Sequence, residues 1–212
     1  MKTAILFDLD GTLLDTLTDI AAAVNHVLEE MGYPRRTREE VLRFVGNGAR
    51  YLMYQAIPEG GDLDTALMKF QTYYSANCQI ATKPYHGIPE ALEILGQKYG
   101  IAIVSNKPDT AVKPLCGLYF PGIYARGESA DCPRKPAPDM VYKTMEEIGA
   151  ESCIYVGDSE VDVLTAQNAG VPCLSVLWGF RNREDMEAVG GCHFCERTEE
   201  LVEKIEELTH GQ

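Results

Sequence analysis

Asp8 and Asp10 follow an apolar run near the start of the chain and have a spacing that suggests chemistry. The run at residues 4–7 does not alternate with polar residues, which is typical of a strand buried on both faces of a parallel sheet. Residues two apart in a strand point the same way, so we expect both carboxylates at the carboxyl end of this strand. Their repulsion would be relieved by a hard divalent cation such as Mg²⁺. The alternative is a surface turn that happens to carry two acids.

Two later apolar runs, at residues 101–104 and 153–156, also end in polar side chains. Ser105 and Asn106 follow the first run, and Asp158 follows the second. Because the carboxyl ends of parallel strands lie along one edge of a sheet, the sequence predicts that these side chains share a site with the two aspartates.

Lys135 and Asp162 complete this set of candidate residues. Lys135 lies in an Arg-Lys-Pro-Ala-Pro segment, where the prolines restrict the backbone. An ammonium that faces carboxylates suits an anionic substrate such as a phosphate, whereas the alternative is a solvated lysine before a helix. Asp162 lies one helical turn after Asp158, and its alternative role is that of an acid favoured by the helix dipole.

Apolar strands alternate with helical patterns through most of the chain, which predicts an α/β fold with a doubly wound parallel sheet. Residues 16–82 are the exception, because their apolar spacing is helical throughout. We call this segment the helical insertion. It contains a capping-box pattern at Thr37 and Glu40. We interpret residues 83–87 as a linker that returns the chain to the sheet.

The bulk composition limits the classes of partner. The chain has 212 residues and a net charge of −13, which argues against nucleic acid and acidic membrane surfaces. The sequence shows neither a signal peptide nor a membrane-spanning run, so we predict a cytoplasmic protein whose seven cysteines are mostly reduced. Cys192 and Cys195 form a single CxxC, which is a weak indication of zinc or redox chemistry on its own.

Four motifs occur in the order and spacing of a known superfamily: FDLDGTLLDT at residues 7–16, VSNK at 104–107, RKPAPD at 134–139 and GDSEVD at 157–162. On these motifs the chain resembles the haloacid dehalogenase superfamily of phosphotransferases. The resemblance implies a Rossmann-like catalytic core, residues 1–15 plus 83–212, and a small α-helical cap, residues 16–82. Within the superfamily the chain is most similar to phosphoglycolate phosphatases.

The resemblance also implies roles for the acidic residues. Asp8 would be the nucleophile that forms an aspartyl-phosphate, and Asp10 the general acid and then the general base. Mg²⁺ would be held by the side chains of Asp8 and Asp158 and by the backbone carbonyl of Asp10.

The remaining predicted roles concern the substrate. Ser105, Asn106 and Lys135 would bind the phosphoryl oxygens, and Asp162 would position Lys135 or a metal-bound water.

In the helical insertion, Asn47 and Arg50 are predicted to contact the non-phosphate end of the substrate. The alternative there is a turn between helices with a solvated arginine.

We therefore expect a Mg²⁺-dependent phosphatase, monomeric or homodimeric, that acts on a small phosphorylated metabolite such as 2-phosphoglycolate. A sugar-phosphate mutase with the same core is an open alternative. A non-catalytic phosphate-binding module would be expected to lack at least one of Asp8, Asp10, Lys135 and Asp158, all of which are present. Dehalogenases of this superfamily lack the second aspartate that stands here as Asp10.

Overall fold

The computed structural model describes residues 2–210 and is built around one parallel β-sheet. The strands of the described chain are β1 (Thr3–Phe7), β2 (Leu14–Asp15), β3 (Lys83–Pro84), β4 (Gly100–Pro108), β5 (Tyr124–Glu128), β6 (Ser152–Gly157), β7 (Cys173–Val176) and β8 (Phe194–Cys195). Six of them pair in the order β5-β4-β1-β6-β7-β8, and all neighbours are parallel. The predicted α/β class is confirmed, with β1 at the centre of the sheet.

Helices cover both faces of this sheet. The helices are α1 (Leu17–Glu30), α2 (Arg38–Phe44), α3 (Gly48–Ala56), α4 (Leu63–Asn77), α5 (Ile88–Gly96), α6 (Asp109–Tyr119), α7 (Asp139–Ile148), α8 (Glu160–Ala169), α9 (Arg183–Glu187) and α10 (Leu201–His210). Ile5 and Phe7 of β1 share a buried cluster with α5, α6 and α10. Leu6 points to the opposite face and packs in a cluster with α7 and α8. The alternation along β1 thus produces the predicted doubly wound arrangement. None of the helices in residues 2–210 combines the length and the apolar character needed to cross a bilayer.

β4 is longer than the sequence predicts. We expected a strand over residues 101–104 that ends before Ser105, but the strand continues to Pro108 with an irregularity in its pairing to β5. The predicted end of the strand at residue 104 was wrong because Ser105, Asn106 and Lys107 are buried and have polar partners inside the protein. Three chemically useful side chains therefore belong to a rigid strand.

The helical insertion folds as four helices, α1 to α4, which pack on one another. The predicted capping box is confirmed at the start of α2. The Thr37 hydroxyl accepts a hydrogen bond from the Glu40 backbone N–H at 3.1 Å, and the Glu40 carboxylate accepts one from the Thr37 N–H at 2.7 Å. This reciprocal pair satisfies two N–H groups that would otherwise lack partners at the helix start.

A two-stranded antiparallel ribbon, β2 with β3, joins the two ends of the helical insertion. The sequence predicted a linker over residues 83–87 and did not predict that its first two residues pair with β2. Next to it, the buried carboxylate of Asp19 accepts hydrogen bonds from the backbone N–H groups of Ala81 and Thr82 and from the Thr82 hydroxyl. The chain therefore leaves and re-enters the sheet region through one fixed connection.

The CxxC segment lies at the far edge of the sheet. Cys195 is buried in β8, a short strand that the sequence did not predict, and Cys192 is exposed. The Cys195 thiol donates to the backbone carbonyl of Arg197 at 3.2 Å.

Candidate active site

Asp8 directly follows the central strand β1 and is the focus of a buried charged cluster. Its backbone N–H donates to the Val156 carbonyl at 2.8 Å, which continues the pairing of β1 with β6. Asp8 Oδ1 lies 2.9 Å from Lys135 Nζ, and Lys135 Nζ lies 2.7 Å from Asp162 Oδ1. The structure thus brings together three of the residues that the sequence predicted for the site.

Asn106 fixes the backbone of Lys135. Its Oδ1 accepts from the Lys135 N–H at 2.8 Å, and its Nδ2 donates to the Lys135 carbonyl at 3.0 Å. Nδ2 also donates to the carbonyl of Gly46 in the helical insertion at 3.1 Å. Both amide protons are used by protein carbonyls, so this arrangement favours a positioning role for Asn106 over the predicted contact with phosphoryl oxygens.

Asp158 follows β6 and is held by donors from two other segments. Oδ1 accepts from the Thr12 hydroxyl at 3.0 Å, and Oδ2 accepts from the Phe180 N–H at 2.7 Å. Gly11 has a positive φ of 84°, and a Cβ there would lie only 2.2 Å from Asp158 Oδ2. A glycine is required at this position because the backbone passes so close to the carboxylate.

Asp162 is fully buried in the first turn of α8. Its Oδ2 accepts from the Ser159 N–H at 3.2 Å and from the Ser159 hydroxyl at 2.6 Å, while Oδ1 accepts from Lys135 Nζ. Because both oxygens are engaged, Asp162 orients the ammonium of Lys135 and also caps the helix.

The carboxylates of Asp8, Asp158 and Asp162 fit a divalent cation. One oxygen from each lies within 4.8 Å of the others. When all three carboxylates are ionised, the one ammonium of Lys135 leaves two negative charges uncompensated. Asp8 Oδ1 is buried, and its close contact among the described residues is the Lys135 ammonium at 2.9 Å. Hard oxygen donors with surplus negative charge are what Mg²⁺ and Ca²⁺ prefer.

Burial and mutual repulsion set the protonation of these groups. Burial raises the pKa of Asp8 to about 7, with Asp162 and Asp10 acting in the same direction and Lys135 against it. Burial, Asp162 and Asp8 raise the pKa of Asp158 well above its usual range. Burial disfavours the ammonium of Lys135, but Asp162 and Asp8 outweigh this effect and raise its pKa. The lysine is therefore charged, whereas a nearby cation would favour the ionised forms of Asp8 and Asp158 at neutral pH.

Asp10 makes a contact that the sequence analysis missed. Lys107 Nζ donates to Asp10 Oδ1 at 2.8 Å and to Oδ2 at 2.9 Å, and both side chains are largely buried. Lys107 belongs to the VSNK motif, yet we assigned it no role. The available signal was its position directly after Ser105 and Asn106, on the strand end that carries the other polar residues.

A cavity of about 60 Å³ lies beside these residues, between the sheet edge and the helical insertion. The sheet side contributes mainly polar groups, and the insertion contributes mainly apolar ones. The lining residues include Asp8, Asp10, Ser105, Asn106, Lys107, Asp158 and Arg181 on one side, and Ile20, Val45, Ala49, Leu52, Phe70 and Tyr74 on the other. This space suits a small substrate with one polar end at Asp8.

Asn47 and Arg50, which the sequence analysis predicted to contact the substrate, lie outside the cavity wall in this structure. Neither residue lines the cavity. The guanidinium of Arg50 is exposed and pairs with Asp64 at 2.8 Å. The reason is helical phase, since Ala49 and Leu52 occupy the buried face of α3 and Arg50 falls on the outer face.

The fold and the buried acidic site define the class of this protein. Residues 5–176 match the family model of the haloacid dehalogenase-like hydrolases, and the chain belongs to that family. It is a phosphoric monoester hydrolase.

Individual proteins of this family are similar to the chain over most of its length. The chain is similar to the phosphoglycolate phosphatase of Aquifex aeolicus, with 34% identity over 83% of this chain and 85% of that protein. It is also similar to the phosphoglycolate phosphatase of Vibrio parahaemolyticus, with 30% identity over 95% of each chain. A crystal structure from Lactobacillus delbrueckii subsp. bulgaricus superposes with a TM-score of 0.89 at 35% identity, covering 97% of this chain and 99% of that one.

Proposed function

We propose that this enzyme is a Mg²⁺-dependent phosphatase that transfers the phosphoryl group of a small monoester to Asp8 and then hydrolyses the aspartyl-phosphate. The observation that supports this proposal is the position of Asp8. Its carboxylate lies at the end of the central strand, beside one ammonium and two further carboxylates, at the wall of the cavity.

In this proposal the chain's own residues perform both steps. The Asp8 carboxylate attacks phosphorus while Asp10 donates a proton to the departing oxygen of the alcohol. Asp10 then accepts a proton from the water that attacks the aspartyl-phosphate. Lys135 and the buried hydroxyl of Ser105 bind the phosphoryl oxygens, where the ammonium stabilises the charge of the transition state.

Asp8 and Asp158 would hold Mg²⁺, together with the backbone carbonyl of Asp10. The cation would keep Asp8 ionised and offset its repulsion from the phosphate. Asp162 orients Lys135 from its buried position, as its two engaged oxygens indicate.

We further propose that the helical insertion, residues 16–82, is a cap on a core formed by residues 1–15 and 83–212. The proposal is supported by the β2–β3 ribbon, which marks both chain crossings, and by the cavity, which residues from both parts line.

For the substrate we propose 2-phosphoglycolate. The similar proteins from Aquifex aeolicus and Vibrio parahaemolyticus are phosphoglycolate phosphatases, and the small cavity favours a short acid over a sugar.

Phosphate release from 2-phosphoglycolate tests the mechanism. We expect activity that requires added Mg²⁺, is lost with a chelator and is abolished in Asp8→Asn. Asp64→Asn is the matched control, because Asp64 is exposed and contacts only the surface residue Arg50 in an ion pair. Activity of Asp8→Asn close to that of the wild type would refute the aspartyl-phosphate.

A panel of phosphorylated metabolites ranked by kcat/KM tests the substrate. We expect 2-phosphoglycolate at the top and hexose phosphates near the bottom. Equal values across the panel would contradict the substrate proposal but leave the phosphatase proposal intact.

A further inference from the structure

Lys107 and Tyr74 form a buried polar pair at the end of the cavity away from Lys135. Lys107 comes from β4, and Tyr74 comes from α4 in the helical insertion. Lys107 Nζ lies over the Tyr74 ring, 4.6 Å from its centroid, and both residues line the cavity. The pair is therefore assembled from both parts of the chain.

Each of the two side chains has an unused donor. The Tyr74 hydroxyl is buried beside Lys107, makes no well-formed hydrogen bond with a described residue and donates its own proton to none of them. A lysine ammonium has three N–H donors, and Asp10 accepts from two of them. A buried hydroxyl that donates to no partner costs free energy, so its presence at a cavity wall indicates a ligand that it contacts.

Lys107 is also the cation best placed for an anionic ligand at this end. Among the cavity-lining residues of the described chain, only Lys107 and Arg181 carry a positive charge. Arg181 already donates to the carbonyls of Leu42 and Val45 and pairs with Glu160. The surrounding walls are apolar, including Phe70 and Leu52, so an anion here has no competing cation.

The position relative to Asp10 indicates the chemical class of the ligand. In the proposed mechanism Asp10 contacts the departing oxygen of the substrate, and Lys107 Nζ lies within 3 Å of the Asp10 carboxylate. An anionic group held by Lys107 can therefore lie within a few bonds of that oxygen. A carboxylate on the adjacent carbon, as in esters of short 2-hydroxy acids, meets this condition.

We infer that Lys107 and the Tyr74 hydroxyl bind the substrate's carboxylate and select phosphorylated 2-hydroxy acids over uncharged phosphomonoesters. This inference rests on the proposed phosphatase function and adds the residues that determine its specificity. The ammonium and the phenol each donate one hydrogen bond to the carboxylate, so the bound substrate accepts the hydrogen bonds that the two side chains can still donate.

The test compares 2-phosphoglycolate with its amide, which has nearly the same shape but lacks the negative charge. The measured quantity is the ratio of the two kcat/KM values. We expect a large ratio in the wild type and a fall of about 10- to 100-fold in Tyr74→Phe and in Lys107→Met, because each loses a hydrogen bond to a charged group.

Tyr74→Phe is the decisive variant, since it removes only the hydroxyl and leaves the ring in place. Lys107→Met also removes the partner of Asp10, so its activity on both esters will fall, and only the ratio is informative. Tyr73→Phe is the matched control: Tyr73 is the adjacent tyrosine of α4, stacks on His26 at 3.8 Å and does not line the cavity.

The outcomes separate the two proposals. A wild type that hydrolyses neither ester refutes the proposed function itself. A wild type that hydrolyses both equally, or a Tyr74→Phe ratio unchanged from the wild type, overturns the carboxylate site while the phosphatase stands.

Discussion

Lys135 is the residue that connects the nucleophile to the rest of the site. Its ammonium lies within 3 Å of both Asp8 and Asp162 and is almost completely buried. A buried cation with two carboxylate partners is fixed in place, so it acts on a phosphoryl group without reorganisation. Asn106, which binds the Lys135 backbone on both sides, adds to this fixation.

Replacement of Lys135 by methionine should lower kcat by roughly 10²- to 10³-fold, because a positioned charge opposite the transition state is lost. The variant should also melt at a lower temperature, since two buried carboxylates lose their partner. Activity is measured well below the melting transition. Lys204→Met, at a partly exposed position of α10 remote from the site, is the control and should match the wild type in both respects. A kcat within threefold of the wild type would exclude Lys135 from phosphoryl binding.

The raised pKa of Asp8 predicts how stability depends on pH and metal. Without a divalent cation, the folded protein binds more protons than the unfolded chain between about pH 4 and the Asp8 pKa of about 7. The contribution of Asp8 to the unfolding free energy should therefore fall as pH rises through this window.

Mg²⁺ competes with these protons, so it should raise the melting temperature more at pH 8 than at pH 5. Thermal melts with Mg²⁺ and with a chelator check this, and Asp8→Asn should abolish most of the difference. An equal rise in melting temperature with Mg²⁺ at both pH values would contradict the predicted competition between Mg²⁺ and protons.

Most of the cluster residues could be predicted from the sequence because each follows a recognisable apolar strand or lies in a short motif. Asp8, Ser105 and Asp158 are of this kind. Tyr74 could not be found in this way, since it lies among the apolar positions of α4 and its sequence pattern matches that of a core residue. Only the packing of α4 over β4 brings it to Lys107.

At the scale of elements, the β2–β3 ribbon is the feature that sequence reasoning missed. Its strands have two residues each and lie 67 or more positions apart, so no periodicity marks them. The sequence did predict the helices on both sides, because their apolar spacing extends over several turns. Long-range pairing of short segments is set by tertiary structure and leaves little local signal.

Asp19→Ala should destabilise this connection. The substitution leaves the buried N–H of Thr82 and the partly buried N–H of Ala81 without their acceptor, which costs about 2–4 kcal/mol for bonds to a charged group. Urea denaturation measures the free energy of unfolding. Asp64→Ala, which removes an exposed carboxylate, should change it by less than about 0.5 kcal/mol. A loss for Asp19→Ala no larger than that of the control would show that the connection does not depend on Asp19.

At the scale of the whole molecule, the helical insertion contacts the sheet at points far from the ribbon. Asn106 donates to the Gly46 carbonyl, and Arg181 donates to the carbonyls of Leu42 and Val45. These carbonyls of Leu42 and Val45, and that of Arg43, which also accepts from Arg181, lie at the carboxyl end of α2, where a helix has unpaired acceptors and a partial negative charge. The helical insertion is therefore joined to the rest of the chain in two places: by the hydrogen-bonded β2–β3 ribbon and by these polar contacts. The cavity lies between the insertion and the sheet edge.

Arg181→Ala should weaken the contact between residue 181 and the carboxyl end of α2 while leaving the β2–β3 ribbon intact. The hydrogen bonds to the carbonyls of Leu42, Arg43 and Val45 are lost, so hydrogen exchange of the backbone amides in residues 41–49 should accelerate by at least about tenfold. kcat/KM for 2-phosphoglycolate should fall because the cavity admits water and Lys107 and Tyr74 are no longer held together. Arg183→Ala is the matched control, since Arg183 pairs only with Glu187 and Glu196 and packs on the Phe194 ring, away from the helical insertion. If Arg181→Ala and Arg183→Ala gave the same exchange in residues 41–49, the closure of the cavity would have to depend on Asn106 and apolar packing instead.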